Sequence, residues 1–459
     1  MRRCSPGSRS CRCSSPIVIA SWAILTFYSG DGFVRTVFAL VGLEGPTWGY
    51  TTVAVVIGSV WTSLPFATLM ATSGVQGIPD AMIEAARDAG ASTWAIVTRV
   101  LVPLAAIPLV IATTFTAIGV LGSFTVPYFT EAQRAEHARR RHLEVLHGLQ
   151  PPAAVHRHGR RGVRPGVGDR VPLRAGELPL REGGGPGLMR ALLSARGWVQ
   201  AALFAVVAVF VLGPLLWLAA HAFATSWDYP SLLPAGLTLH WWEVVLQDAE
   251  LAAAVRNSLY FAPLTVLVSA LVCLPAAYAF SRFSFPGRRI LLVGLFATNA
   301  FPKMGLFVSM ASLFYGLHLM NTVTGIVIVQ LIGTVVFMTW IPAAAFSAVP
   351  RSLEEAARDA GAGRVRTFLH VTLPLALPGI LVAVLMSFLA AFDEAQGTYL
   401  VGAPVYMTMP TEMYSLVLNH PVQVAAVFSI LLSLPSVALL LLARRHIMGG
   451  RLAEGFQIR

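Results

Sequence analysis

The sequence predicts an all-α protein built as a polytopic transmembrane helical bundle. Three observations lead there. Of 459 residues, 56% are apolar and only 12% charged, and mean hydropathy is +0.69; soluble domains of this length carry far more charge. Apolar runs of about 20 residues, the length a bilayer core demands, recur along the chain. The basic residues, which bring the formal net charge to +11, gather between apolar runs, as cytoplasmic loops require. That placement favours membrane topology over nucleic-acid binding. Lys303 is the single lysine, a bias that fits a GC-rich genome and carries no mechanism.

Residues 1–16 form an atypical polar leader. Arg2, Arg3, Arg9 and Arg12 precede a short apolar stretch, Ile17 to Tyr28, which also mimics a signal peptide. Cys4, Cys11 and Cys13 make no CxxC pair and Cys273 sits in an apolar run. Neither a disulfide framework nor a metal site is expected. A span at 50–72, a polar loop at 79–103 and a long span from 101 to 129 complete a partial first unit, 17–130.

Residues 131–188 are different material. They hold 11 of the 33 basic residues and 5 of the 11 histidines, with no apolar period. They read as a disordered Arg/Gly/Pro-rich linker. A basic lipid tether, a nucleic-acid segment or a His-based metal site is the alternative, but no aromatic residues interleave and no ligand spacing recurs.

Met189–Arg459 reads as a complete six-span unit, with spans at about 197–222, 252–281, 289–315, 321–346, 375–399 and 424–443. The alternate loops 223–251, 316–320 and 400–423 contain no Lys or Arg. Both ends of this unit, and its loop at 350–374, are therefore expected in the cytoplasm.

Both polar loops carry the same motif. IPDAMIEAARDAGASTWAIVTRVLVP and VPRSLEEAARDAGAGRVRTFLHVTLP share EAARDAGA, and Pro103 follows Gly90 at the spacing by which Pro374 follows Gly361. In the second copy Pro350 disfavours helix at Val349. Ser352 and Glu355 have the spacing of a capping box. Ala356, Ala357 and Ala360 keep one face small. Gly361 can take the positive φ that ends a helix, and Pro374 suits the first turn of the next span. The result is a rigid helix–turn–helix knob.

These strings resemble the EAA loop of the membrane-spanning permease subunits of type I bacterial ABC importers. Each copy matches over about 25 residues, and the duplication in a membrane context makes the signal specific. The resemblance implies two permease units in one chain and a bacterial cytoplasmic (inner) membrane location. It implies that Glu84, Ala85, Ala86, Gly90 and Pro103, with Glu355, Ala356, Ala357, Gly361 and Pro374, couple to a separate ABC ATPase dimer. An extracytoplasmic solute-binding protein, another complete permease subunit and membrane lipid are the further partners it implies, with no cofactor.

Span parity sets a puzzle. One span in the first unit and four in the second separate the two loops, and an odd number would put them on opposite sides. The simplest account is a missing span, with 131–188 out of frame and Met189 a second start. The leader has the same kind of composition.

No chemistry of its own is visible. There is no P-loop around the sole lysine, no HExxH, no GxSxG and no paired CxxC. A membrane-embedded enzyme would need a convergent catalytic set, and a non-transporting scaffold would not need the motif on each half. For the solute path, Lys303 and Asn299 in the third span and Asp393 and Glu394 near the outer end of the fifth are candidates, since polar groups at membrane depth face a pathway or partner. The bland reading is that Lys303 snorkels and the carboxylates are interfacial. SFLAAFDEAQGTYLVG, TMPTEMYSLV and GSFTVPYF resemble polyamine-type permeases, and paired carboxylates suit a cation. YAFSRFSFPGRR and LHLMNTVTGIVI resemble sugar-type permeases. A polyamine-like solute is favoured and a sugar-like one stays open.

Overall fold

A computed structural model describes residues 17–123, 125–129, 186–227, 229–298 and 301–447. Over these residues all the regular structure is helical, without a strand; one isolated antiparallel bridge joins Ala224 and Leu237. The polar leader, the segment 131–185 and Asn299 lie outside the described residues.

The first half begins with α1 (Ile17–Tyr28), α2 (Phe33–Leu40) and α3 (Thr52–Gln76). The first polar loop supplies α4 (Asp80–Asp88) and α5 (Thr93–Leu104), followed by α6 (Ala106–Leu121). The long span expected from 101 to 129 is interrupted near its start, where α5 and α6 meet at a 75° bend. The bend falls at Ala105, whose φ/ψ of −88/9 leaves the helical region. Pro108 lies three residues on, and it cannot donate to the Leu104 carbonyl four residues back.

The second half opens with α7 (Pro186–His221), so the last three residues of the segment expected to be disordered are helical. Then come α8 (His240–Gln247), α9 (Ala249–Arg282), α10 (Arg288–Ala297), α11 (Lys303–Gly316) and α12 (Val323–Ala348). The second polar loop gives α13 (Arg351–Asp359) and leads into α14 (Arg364–Phe392). The chain finishes with α15 (Gln396–Gly402), α16 (Met409–Asn419) and α17 (Val422–Ile447).

Among the described residues, six helical stretches are long and apolar enough to cross a bilayer: α3, Ala201–His221 of α7, α9, α12, α14 and Val422–Leu439 of α17. The bent α5–α6 pair makes up to seven. The expected third span, 289–315, is not one helix. It breaks after Ala297 and resumes at Lys303, behind Pro302. The expected fifth span, 375–399, ends as a helix at Phe392. The parity puzzle therefore rests on two interrupted segments, which length alone does not count as crossings.

By contacts the chain divides into one unit of 1–133 plus 213–459 and another of 134–212. The described part of the latter, 186–212, is the start of α7. Within the larger unit, α1 is deeply packed. Ala20, Ala23 and Leu25 are fully buried, and the cluster that holds Ala23 and Leu25 includes Met413, Ala425 and Phe428. Apolar helices gain little from leaving lipid, so packing relies on small residues and interhelical hydrogen bonds. Both devices hold α9, α12 and α14 together. A β-carbon on Gly379 of α14 would lie 2.5 Å from that of Ala345 on α12. Thr265 donates to Gln330 Oε1 at 2.8 Å, and Thr334 donates to Ser269 at 3.0 Å.

Candidate functional site: two coupling loops and a polar interior

The two loops fold alike. Each starts with a proline in extended conformation, Pro79 and Pro350, at the N-terminal cap of α4 and α13. Neither cap uses a side chain. The expected capping box of Ser352 and Glu355 is thus absent, because the helix begins at Arg351 and places both residues inside it. Both helices stop at glycine. Gly90 has φ +77 and Gly361 φ +84. Gly361 N–H donates to the Arg358 carbonyl and Ala362 N–H reaches back to Ala357, the double closure of a Schellman turn; Gly90 and Ala91 repeat it on Arg87 and Ala86.

After the turn, both copies run through one π-helical turn, Val97–Leu101 and Phe368–Thr372. Pro103 and Pro374 stand two residues past the end of each turn. A widened turn relieves the clash of a proline ring with the carbonyl of the preceding turn. Pro374 therefore lies inside a continuous helix rather than starting a new one, since Thr372 keeps helical φ/ψ of −68/−50.

Glu84, Ala85, Gly90, Glu355, Ala356, Gly361, Pro103 and Pro374 are exposed, while Ala86 and Ala357 are half-buried. Glu355 makes no hydrogen bond or ion pair among the described residues. Its neighbour does the opposite. The Glu354 side chain is only 5% exposed and its Oε1 lies 2.8 Å from Arg282 Nη2. Thr372 donates to the same oxygen at 2.7 Å. Arg358 stands 3.7 Å from Oε2. The motif counts from Glu355 and so does not single out Glu354. Its signal is the pair of adjacent carboxylates, Glu354 ahead of Glu355, on an amphipathic nine-residue helix that must bury one face.

The polar interior separates the solute-path candidates. Glu394 is committed locally: its carboxylate accepts from the Gly397 and Thr398 backbone N–H groups at 3.0 and 2.8 Å and from Thr398 Oγ1 at 2.8 Å. It starts α15. Gln330 donates to Thr398 at 3.3 Å, so the chain Thr265–Gln330–Thr398–Glu394 ties α9, α12 and α15 together. Asp393 is different, with a buried Oδ1 that has no hydrogen-bond partner among the described residues. Lys303 is exposed in the first turn of α11. No described contact brings Lys303 to the carboxylates. Thr125, in the helical turn 125–129 of the first half, hydrogen-bonds Gln396 at 3.1 Å and Tyr414 at 3.2 Å.

Repeated knobs on a bundle of apolar helices point to one family. Residues 6–135 and 184–448 match the binding-protein-dependent transport system inner membrane component. The chain belongs to that family. It is a permease component of an ABC importer, a multi-pass protein of the inner membrane. Among its relatives, a putative ABC transporter permease protein, ORF1, of Streptomyces antibioticus is 35% identical over 213 residues, 45% of this chain and 91% of that protein. The trehalose/maltose transport system permease protein MalG of Thermococcus litoralis is 30% identical across 43% of this chain and 71% of its own. The trehalose transport system permease protein SugB of Mycobacterium tuberculosis is 23% identical across 56% and 96%. A solved chain of a bacterial ABC transporter that imports alginate aligns at 20% identity over 55% of this chain and 96% of that one, with a TM-score of 0.44.

Proposed function

We propose that this permease carries a carbohydrate inward, driven by a separate ATPase dimer that docks on two coupling knobs of one chain, α4 and α13. One observation carries the coupling: two helices with the same proline start, the same left-handed glycine stop and the same exposed glutamate. A rigid knob of this kind passes rigid-body motion between subunits. Glu84 and Glu355 contact the ATPase, and Gly90 and Gly361 hold the turns. The family match on both sides of 136–183 supports reading the chain as two permease units joined by a dispensable segment. An extracytoplasmic binding protein delivers the solute, as the family's description implies for its members.

The solute class rests on two supports. Several relatives are named for trehalose, maltodextrin or galacto-oligosaccharides. In addition, Glu394 is consumed in starting α15, which removes half of the carboxylate pair that favoured a polyamine. A cationic solute keeps one specific observation, the unpartnered buried oxygen of Asp393. Competition uptake in cells expressing the chain with its ATPase and binding protein separates the two. Inhibition by a disaccharide and not by a polyamine supports the carbohydrate reading; the reverse overturns it and points to Asp393.

A further inference from the structure

The ion pair between Arg282 and Glu354 joins two elements with different jobs. Arg282 ends α9, a helix long enough to span the bilayer. Glu354 sits on α13, the second coupling helix. The pair is sealed, with side-chain exposures of 8% and 5%. Arg282 Nη2 also donates to the Val349 carbonyl at 3.0 Å, just ahead of the knob. Arg351 returns a bond to the Arg282 carbonyl at 3.3 Å. Through Thr372 the same carboxylate grips the π turn that leads into α14. One glutamate thus ties the knob to a span on one side and to its own exit helix on the other.

A buried ion pair seldom adds net stability over apolar residues of the same size, because desolvation offsets the attraction. What it supplies is direction, since charge and hydrogen bonds hold one geometry. The first knob lacks it. The residue before Glu84 is Ile83, and the residue two before Pro103 is Leu101, so the first loop has an isoleucine and a leucine where the second has Glu354 and Thr372.

We infer that Glu354 and Arg282 are positioning residues that lock the second coupling helix to the cytoplasmic end of α9, so that movement of this span reaches the ATPase through α13 more stiffly than through α4. The inference rests on the importer reading above for its consequence, though not for the lock itself.

The discriminating variant is Arg282→Met with Glu354→Met, which keeps volume and removes charge. In full-length protein in lipid nanodiscs, amide exchange over Arg351–Asp359 is expected to rise roughly tenfold, while Asp80–Asp88 exchanges as in the wild type. With the cognate ATPase and binding protein added, the variant should still hold the ATPase through Glu355. Solute-stimulated ATP hydrolysis should fall about tenfold, within the range of ordinary coupling energies. Arg282→Lys, which keeps a charge opposite Glu354, should recover part of it. Should the double variant fail to insert, Glu354→Gln carries the same exchange and stimulation measurements. Unchanged exchange over Arg351–Asp359 overturns the lock. Raised exchange with undiminished stimulation overturns the positioning role. A wild-type chain that never binds the ATPase sinks the importer reading instead, and the exchange result then judges the lock alone.

Discussion

Gly361→Ala isolates the turn that shapes the second knob. Position 361 has φ +84, and a β-carbon built there meets nothing within 4 Å. The cost is therefore conformational and not steric. Holding an L residue in the left-handed region costs about 1–2 kcal/mol. Alanine also orders the unfolded chain, which returns roughly 0.4–1 kcal/mol. The net is about 1 kcal/mol, or about a fivefold shift in the ratio of turned to unturned knob. Gly363→Ala is the matched control two residues away, since Gly363 has φ −63 and equally open surroundings. The assay is co-purification of the ATPase with the tagged chain, titrated with ATPase, beside exchange over Arg351–Asp359. Apparent affinity should drop, by up to about fivefold, for Gly361→Ala and stay unchanged for Gly363→Ala. Equal effects from the two alanines would show that the left-handed turn is not what presents the knob.

Other outcomes follow from the same geometry. Glu355→Ala should change thermal stability by no more than about 0.5 kcal/mol, as for an exposed side chain without partners, while weakening ATPase co-purification; a large loss of stability would place Glu355 in the fold instead. Glu394→Ala should destabilise the chain by about 1–2 kcal/mol through loss of the α15 start, and uptake should fall to the same extent for neutral and charged solutes; a selective loss for cations would return Glu394 to the solute path. Deleting 136–183 should leave insertion and ATPase association intact, and loss of both would make that segment a working linker. A single cysteine at Val405, in a chain whose own cysteines are replaced, should react from outside in intact cells because its loop carries no Lys or Arg; reaction only after permeabilisation would invert the topology.

The legible parts of this chain are those where one residue type forces one backbone. Gly361 announces a left-handed turn and has one, and Gly90 at the same place in the first copy repeats it. Spans α3, α9, α12 and α17 follow from uninterrupted apolar length. What misled was proline. Pro374 reads as a helix start, yet the backbone absorbs it in a π turn and continues. The segment around Pro302 reads as one span, and the helix breaks there. Whether a helix kinks, widens or stops at proline depends on neighbours that can satisfy the freed carbonyl, and those neighbours are distant in sequence. The same holds for Glu354. Its partner Arg282 lies on another helix, so a motif read along one strand of sequence credits Glu355 and overlooks the anchored carboxylate. Glu394 looked like half of a solute site because it adjoins Asp393, whereas its oxygens meet N–H groups three and four residues ahead.

The central claim is that this permease takes ATPase-driven motion through both knobs. Proteoliposomes containing the full chain, its ATPase and its binding protein, given radiolabelled disaccharide, measure it directly. ATP-dependent uptake should be present in the wild type, reduced by Glu84→Ala or Glu355→Ala alone, and absent when the two are combined, with the protein still inserted. Undiminished ATP-dependent uptake in the double variant would contradict coupling through α4 and α13.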